Sequence, residues 1–387
     1  MHPLALALAT LLAGVDPGPT TSLAWKELAA DELRPRFGVQ WKADLGTFEL
    51  LATNKEEWTR PLVTADGARV FVGSTKGRLE AREVESGRLL WKRDDMGAIG
   101  ADMVEFRRLV VVGSDSDAVA LGKVRGTEVW RVPLGSRIGG AVTTTGTVAV
   151  FPIRPNGFVA VDLEAGERLW QVKRATPEGL TIRGQAGAVV DAQRGLVFLG
   201  FSDGALVAVR LNDGSTAWVA SLGKSGEFFS DVDALARLPD GDLLAASYNS
   251  GLYRMDPSNG AIRWQRETLT RIVGLVATPS GRILASEGEG QVLGLDPAKG
   301  SVRWRYRMEK GAPSLAALLP EGRAAIASSR GPAVILATSN GRPLQLVAPG
   351  PGSSVAPRVH GRSLFIYSNG GLLLALRENA PSGVLVR

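Results

Sequence analysis

A tryptophan recurs four residues after a glycine six times along the chain, in the pairs Gly87/Trp91, Gly126/Trp130, Gly166/Trp170, Gly214/Trp218, Gly260/Trp264 and Gly300/Trp304. Successive tryptophans lie 39, 40, 48, 46 and 40 residues apart, and a seventh copy at Gly341 carries Gln345 in the tryptophan's place, 41 residues further on. Self-similarity at this period means a repeat architecture, in which each unit buries its apolar face against its neighbours. The repeat, and not the length of 387 residues, therefore sets the number of domains.

Each copy carries a polar turn upstream of its tryptophan, such as Gly77 in STKG, Gly204 in SDG, Gly251 in YNSG and Gly290 in EGEG. The turns join apolar runs rich in residues that suit a pleated surface: VFVG at 70–73, LVVVG at 109–113 and LVFLG at 196–200 before them, FVAVDL at 158–163 after one of them. No 3.6-residue amphipathic period persists, and turn residues return every 8 to 12 positions. One repeat thus reads as four short strands, a propeller blade. Blade starts near residues 59, 99, 138, 180, 230, 272, 313 and 353 predict an all-β, eight-bladed β-propeller of four-stranded antiparallel blades spanning 37–387.

The eighth copy lacks an outer strand, while Gly38–Leu45 (GVQWKADL) carries Trp41 with no blade of its own. This N-terminal strand is expected to close the ring against Leu372–Arg377, with the C-terminal SGVLVR as the competing strand. Trp41, Trp91, Trp130, Trp170, Trp218, Trp264 and Trp304 are then structural: one per blade on the outermost strand puts each at the rim, packed between neighbours and not stacked on a cofactor.

Composition narrows function. With no cysteine and only His2 and His360, the chain has no thiolate chemistry and almost no material for a histidine metal cluster or triad. The net charge is +6, but the 45 basic and 39 acidic residues are interspersed without a basic, aromatic-studded stripe, so no nucleic-acid partner is expected. Acidic residues in separate turns, such as Asp115, Asp117, Glu287 and Glu289, read as turn-capping. No catalytic, cofactor-binding or metal-binding residue and no cofactor is expected.

At the N-terminus, Leu4–Ala13 is an apolar run of ten, too short to span a bilayer and fit for the core of a secretory signal. Asp16–Ser22 (DPGPTTS) follows as a tether, so residues 1–22 are expected to be a leader and linker.

The GxxxW mark with its upstream turn resembles the repeat of the pyrroloquinoline-quinone-type propellers, a group holding both quinoprotein dehydrogenases and non-catalytic scaffolds. Within it, two segments are similar to the BamB family of outer-membrane assembly lipoproteins: Leu180-Thr181-Ile182-Arg183-Gly184 matches the family's LxLRG stretch with Ile for the second Leu, and Ser230-Asp231-Val232-Asp233 matches its SDVD. GSTAW, YNSG and GAIRW follow at similar spacings, and a seventh blade without tryptophan fits as well. The resemblance implies a non-catalytic scaffold at the periplasmic, inner face of the outer membrane, peripherally associated with it. It also implies binding to the periplasmic (POTRA) domains of a BamA-like protein through Leu180, Ile182, Arg183, Asp231 and Asp233. The chain departs from the family at Val15, where the lipid-bearing cysteine would stand, and in extra residues after the last strand.

Both segments fall between a tryptophan strand and the next inner strand, and all such connections emerge on one face of a propeller. An apolar pair beside an arginine and two carboxylates is the composition of an interface hot spot. The same residues also read as a staple, with Arg183 paired to Asp231 or Asp233 and with Leu180 and Ile182 opening the inner strand. Other functions consistent with the repeat are a quinone-dependent oxidoreductase and an extracytoplasmic ligand-sensing or adhesion propeller.

Overall fold

The computed structural model describes residues 36–46, 56–100, 102–175, 186–223 and 230–379. These form eight four-stranded antiparallel sheets and, among the described residues, no helix. Seven blades are continuous in sequence, at 62–93, 104–133, 143–173, 189–221, 232–266, 272–307 and 317–347. The eighth joins Arg358–His360, Ser363–Tyr367 and Leu372–Glu378 to the N-terminal strand Phe37–Asp44. The result is an eight-bladed β-propeller.

Closure follows the N-terminal strand. Phe37–Asp44 runs antiparallel to Leu372–Glu378, from Phe37 opposite Glu378 to Asp44 opposite Leu372. The expected strand began one residue later, at Gly38. The competing segment SGVLVR lies outside the described residues, but the edge it would need is already paired.

Strand pattern follows position in the blade. The two middle strands of blade three, Val148–Ile153 and Gly157–Asp162, are buried on both faces because each blade is sandwiched between two others, which is why they read as continuous apolar runs. Its outer strand, Glu167–Lys173, is mostly exposed except at Trp170. The core is accordingly divided. Each buried apolar cluster spans two neighbouring blades: Val111 and Ala120 meet Phe151 and Val159 between blades two and three, and Leu364 and Leu376 meet Ala325 and Ile335 between blades seven and eight.

Inner strands begin close to the expected positions, with bridges at Ile99, Ile138 and Pro313 just ahead of their regular strands. Blade four is the exception. Its regular inner strand is Val189–Asp191, further from the expected start at residue 180 than in the other blades, and Leu180 and Ile182 lie outside the described residues.

The repeated motif works between blades. In each of the eight outer strands, a one-residue bulge directly precedes the tryptophan or its substitute Gln345. Each indole then lies on the motif glycine of the next blade: Trp41 on Gly87, Trp91 on Gly126, Trp130 on Gly166, Trp170 on Gly214, Trp218 on Gly260, Trp264 on Gly300 and Trp304 on Gly341. A Cβ at any of these glycines would come within 2.3–2.9 Å of the ring. Six of the seven indole Nε1 groups donate to the carbonyl three residues before that glycine, from Trp41 to Val84 O at 2.7 Å through Trp304 to Thr338 O at 3.1 Å. Trp130 Nε1 is buried without an acceptor among the described residues.

Burial of the indoles is uneven. Trp304 and Trp170 are 2% and 7% exposed, while the other five are only partly covered. Trp304 goes deepest because Gly294 stands opposite it, where five of the other blades have alanine, and a Cβ there would approach the ring to 2.1 Å.

Candidate partner-docking face

Connections from an outer strand to the next inner strand leave from the same end of the blades as the turns between the two middle strands. In blades three to five these two sets of loops are hydrogen-bonded to each other. Asn156, in the middle turn of blade three, is buried; its Nδ2 donates to Ala175 O at 3.0 Å and its Oδ1 accepts from Ser202 N at 3.0 Å. Arg174 donates from Nε to Asp203 Oδ2 at 2.7 Å and lies over the Phe201 ring at 5.7 Å. The chain entering the segment that holds Leu180, Ile182 and Arg183 is thus tied to blade four. Those three residues themselves lie outside the described residues.

The SDVD segment is described, and it is pinned between blades four and five. Ser230 O accepts from Ser247 Oγ at 3.0 Å, Asp231 O accepts from Tyr248 N at 2.8 Å, and Val232 N donates to Phe201 O at 3.1 Å. Val232 is buried against Gly200, where a Cβ would meet it at 2.8 Å. The ladder slips between Val232 and Ala234, so Asp233 is the extra residue of a bulge, a device that re-aims a side chain at a strand's end. Asp231 and Asp233 therefore sit together at the mouth of blade five.

Their environments differ. Asp231 is 8% exposed, and among the described residues no cation forms an ion pair with it. Burial pushes its carboxyl up to about 6, because a charged oxygen there loses hydration that a backbone hydrogen bond only partly replaces. Asp233 is half-buried at the bulge. A carboxyl held in a costly charged state is an arrangement that a cationic partner relieves.

Asn156, Arg174 and Asp203 were not singled out by sequence reasoning, although the turn Pro155-Asn156-Gly157 was a signal for the first. The blade tryptophans take no part in this face. Each ring lies on the motif glycine of the next blade.

These features define a propeller of PQQ-like repeats, its blades docked by tryptophan, with an asymmetric loop face over blades three to five. The family model described as outer membrane protein assembly factor BamB matches residues 97–306 and 249–327, and the chain belongs to that family. Relatives carrying the same description include proteins of Shewanella oneidensis, 27% identical over 218 residues (51% of this chain, 54% of that protein), and Yersinia pestis, 26% identical over 220 residues (52% and 55%). The chain spans about half the length of the curated relatives it matches.

Among solved structures, BamB from Moraxella catarrhalis superposes with a TM-score of 0.71 at 18% identity, covering 88% of this chain and 99% of that one. Quinohemoprotein alcohol dehydrogenase from Comamonas testosteroni reaches the same TM-score at 13% identity, covering 91% and 78%. Backbone likeness at this level establishes the propeller alone, and the family assignment rests on sequence.

Proposed function

We propose that this chain is a non-catalytic scaffold of outer-membrane β-barrel assembly that binds the periplasmic POTRA domains of a BamA-like protein. It does so through the loop face over blades three to five. The observation that supports the reading is the SDVD segment, whose backbone from Ser230 to Val232 is held by hydrogen bonds from blades four and five, with Asp233 at the bulge that follows. Asp233 faces a cationic partner group, Asp231 gains a counter-charge on docking, and Leu180, Ile182 and Arg183 complete the patch from the neighbouring connection. A site with a few rigid, desolvated anchors suits a scaffold whose partner arrives preformed.

The family and the fold both agree with this role, and a reaction is not required by it. On the same reading the chain works in the periplasm against the inner face of the outer membrane, residues 1–22 act as leader and tether, and 37–387 form one propeller.

Titration of the full chain with purified BamA periplasmic domains tests the proposal. Saturable binding is expected, weakened at least about tenfold by Arg183→Glu and by Asp233→Lys with the melting temperature unchanged. Absence of binding at tens of micromolar in moderate salt, or a collapse of stability in Arg183→Glu, overturns it in favour of a purely structural staple.

A further inference from the structure

The inner strand of blade five (Val232–Arg237) has Asp231 before one end and a second polar site at the other. There the turn 238–242 meets the first turn of blade four, and between them opens a cavity of about 510 Å³ whose lining includes Gln193, Arg194, Arg237, Pro239, Asp240 and Gly241. It belongs to the face opposite the docking loops.

At its edge Asp191 is wholly buried. Its carboxylate accepts from Arg194 N at 3.2 Å and Arg194 Nη1 at 2.7 Å, and it pairs with Arg237 Nη1 at 3.2 Å. Two guanidinium groups therefore converge on one carboxylate. The other nearby acids are engaged by two further arginines: Asp240 is turned onto Arg254 at 2.6 Å, Asp242 holds Arg254 and Arg263, and Asp256 takes Arg263 at 3.0 Å.

Two further observations mark the space as a receptor. Arg237 Nε is buried and has no acceptor among the described residues. Gly241 brings the two cations together, since the nearest atoms to a Cβ built there are Arg237 Nη2 at 3.7 Å and Arg194 Nη1 at 4.0 Å. Both guanidinium tips thus border a stretch of backbone with no side chain in front of it. A buried donor without an acceptor is unfavourable, and planar guanidinium forks match the oxygens of carboxylate and phosphate.

We propose that Arg194 and Arg237, held by Asp191, form a binding site for an oxyanion, a carboxylate or phosphate group, in the cavity between the first turns of blades four and five. The site is independent of the proposed partner face. Asp191 orients the pair, and the anion takes the free donor and the guanidinium tips that border Gly241.

The test is titration of the full chain with inorganic phosphate at constant ionic strength, following the arginine Nε–Hε resonances by nuclear magnetic resonance, with Arg237 assigned through Arg237→Lys. A saturable shift of the Arg237 signal in the millimolar range is expected. Arg194→Gln should weaken it about tenfold, and Asp191→Asn, which removes the competing carboxylate, should tighten it.

A peptide ending in a free carboxylate, compared with its amide, separates the sources. Saturation by the acid form alone assigns a carboxylate of another chain, and response to phosphate alone assigns a free anion. A linear, non-saturating shift in the wild-type chain overturns the proposal, as does unchanged affinity in Arg194→Gln or in Asp191→Asn.

Discussion

Seven seams of this propeller are closed by a tryptophan lying on a glycine, and one is not. Between blades seven and eight, Gln345 replaces the indole, and the position four residues before Trp41, a glycine in every other blade, is Phe37. The two departures belong together. A Cβ at such a glycine would come within 2.3–2.9 Å of the ring, so a phenylalanine can stand there only if the incoming side chain is no longer an indole.

Gln345 instead grips the backbone. Its Oε1 accepts from Arg36 N and Phe37 N at 2.9 Å, and its Nε2 donates to Phe37 O at 2.8 Å. Phe37 is 3% exposed and joins the cluster between blades seven and eight. The difference teaches that the seam exchanging one end of the chain for the other is held by backbone hydrogen bonds plus a burial of its own, whereas the repeating seams bury an aromatic ring.

The largest effect comes from removing the strand that serves both kinds of seam. Deletion of residues 37–46 takes away Trp41 from blade one, Phe37 from Gln345 and the whole partner of Leu372–Glu378. A domain of ordinary stability, about 5–15 kcal/mol, does not survive that loss, so scanning calorimetry should show no cooperative transition. An intact single transition would mean that the ring holds without its clasp.

Next, Trp304→Ala, at the deepest indole, should cost about 3–5 kcal/mol in urea denaturation, clearly more than Trp218→Ala at a partly exposed seam. Equal costs would show that burial does not rank the seams. Gln345→Ala should cost about 2 kcal/mol through the lost backbone contacts. Gln345→Trp alone should be worse than Gln345→Ala, and pairing it with Phe37→Gly should recover part of the loss. A double-mutant cycle with no coupling would separate the two departures that are linked here.

The smallest effect contrasts the frame with the proposed docking loop. Burial raises the Asp231 carboxyl to about 6, above the ordinary unfolded value near 3.9, so the folded state binds this proton more tightly than the unfolded chain. Its contribution is complete below about pH 4 and is lost as pH rises through 6. Asp231→Asn should therefore be about 1–2 kcal/mol more stable than the wild type at pH 8 and nearly equal to it at pH 4. Stabilisation that did not change with pH would assign the effect to packing.

Most of the frame was legible because its signals are local and repeated. The GxxxW spacing, the middle-strand runs such as LVVVG and LVFLG, and the unattached Trp41 were enough to count eight blades and to place the closing strand within one residue of Phe37–Asp44. In blade four the regular inner strand begins at Val189, later than the expected start at residue 180, and LTIRG lies outside the described residues. The proposed docking face was legible only in part. SDVD was marked by its resemblance to the family's stretch, but nothing local indicated that Asn156 and Arg174 would tie the preceding connection to blade four.

The sequence by itself determined the fold, the number of blades and the strand that closes the ring, because turn chemistry and strand patterning act over a few residues and were written eight times. The tertiary structure alone decided which side chain meets which across a seam: that each tryptophan reads the next blade's glycine, and that Gln345 holds a backbone 308 residues away. It also decided that Asp231 is buried without a counter-ion among the described residues, and that Arg194 and Arg237 converge on Asp191. These are long-range coincidences of position, and they exist only once the ring has placed distant strands side by side.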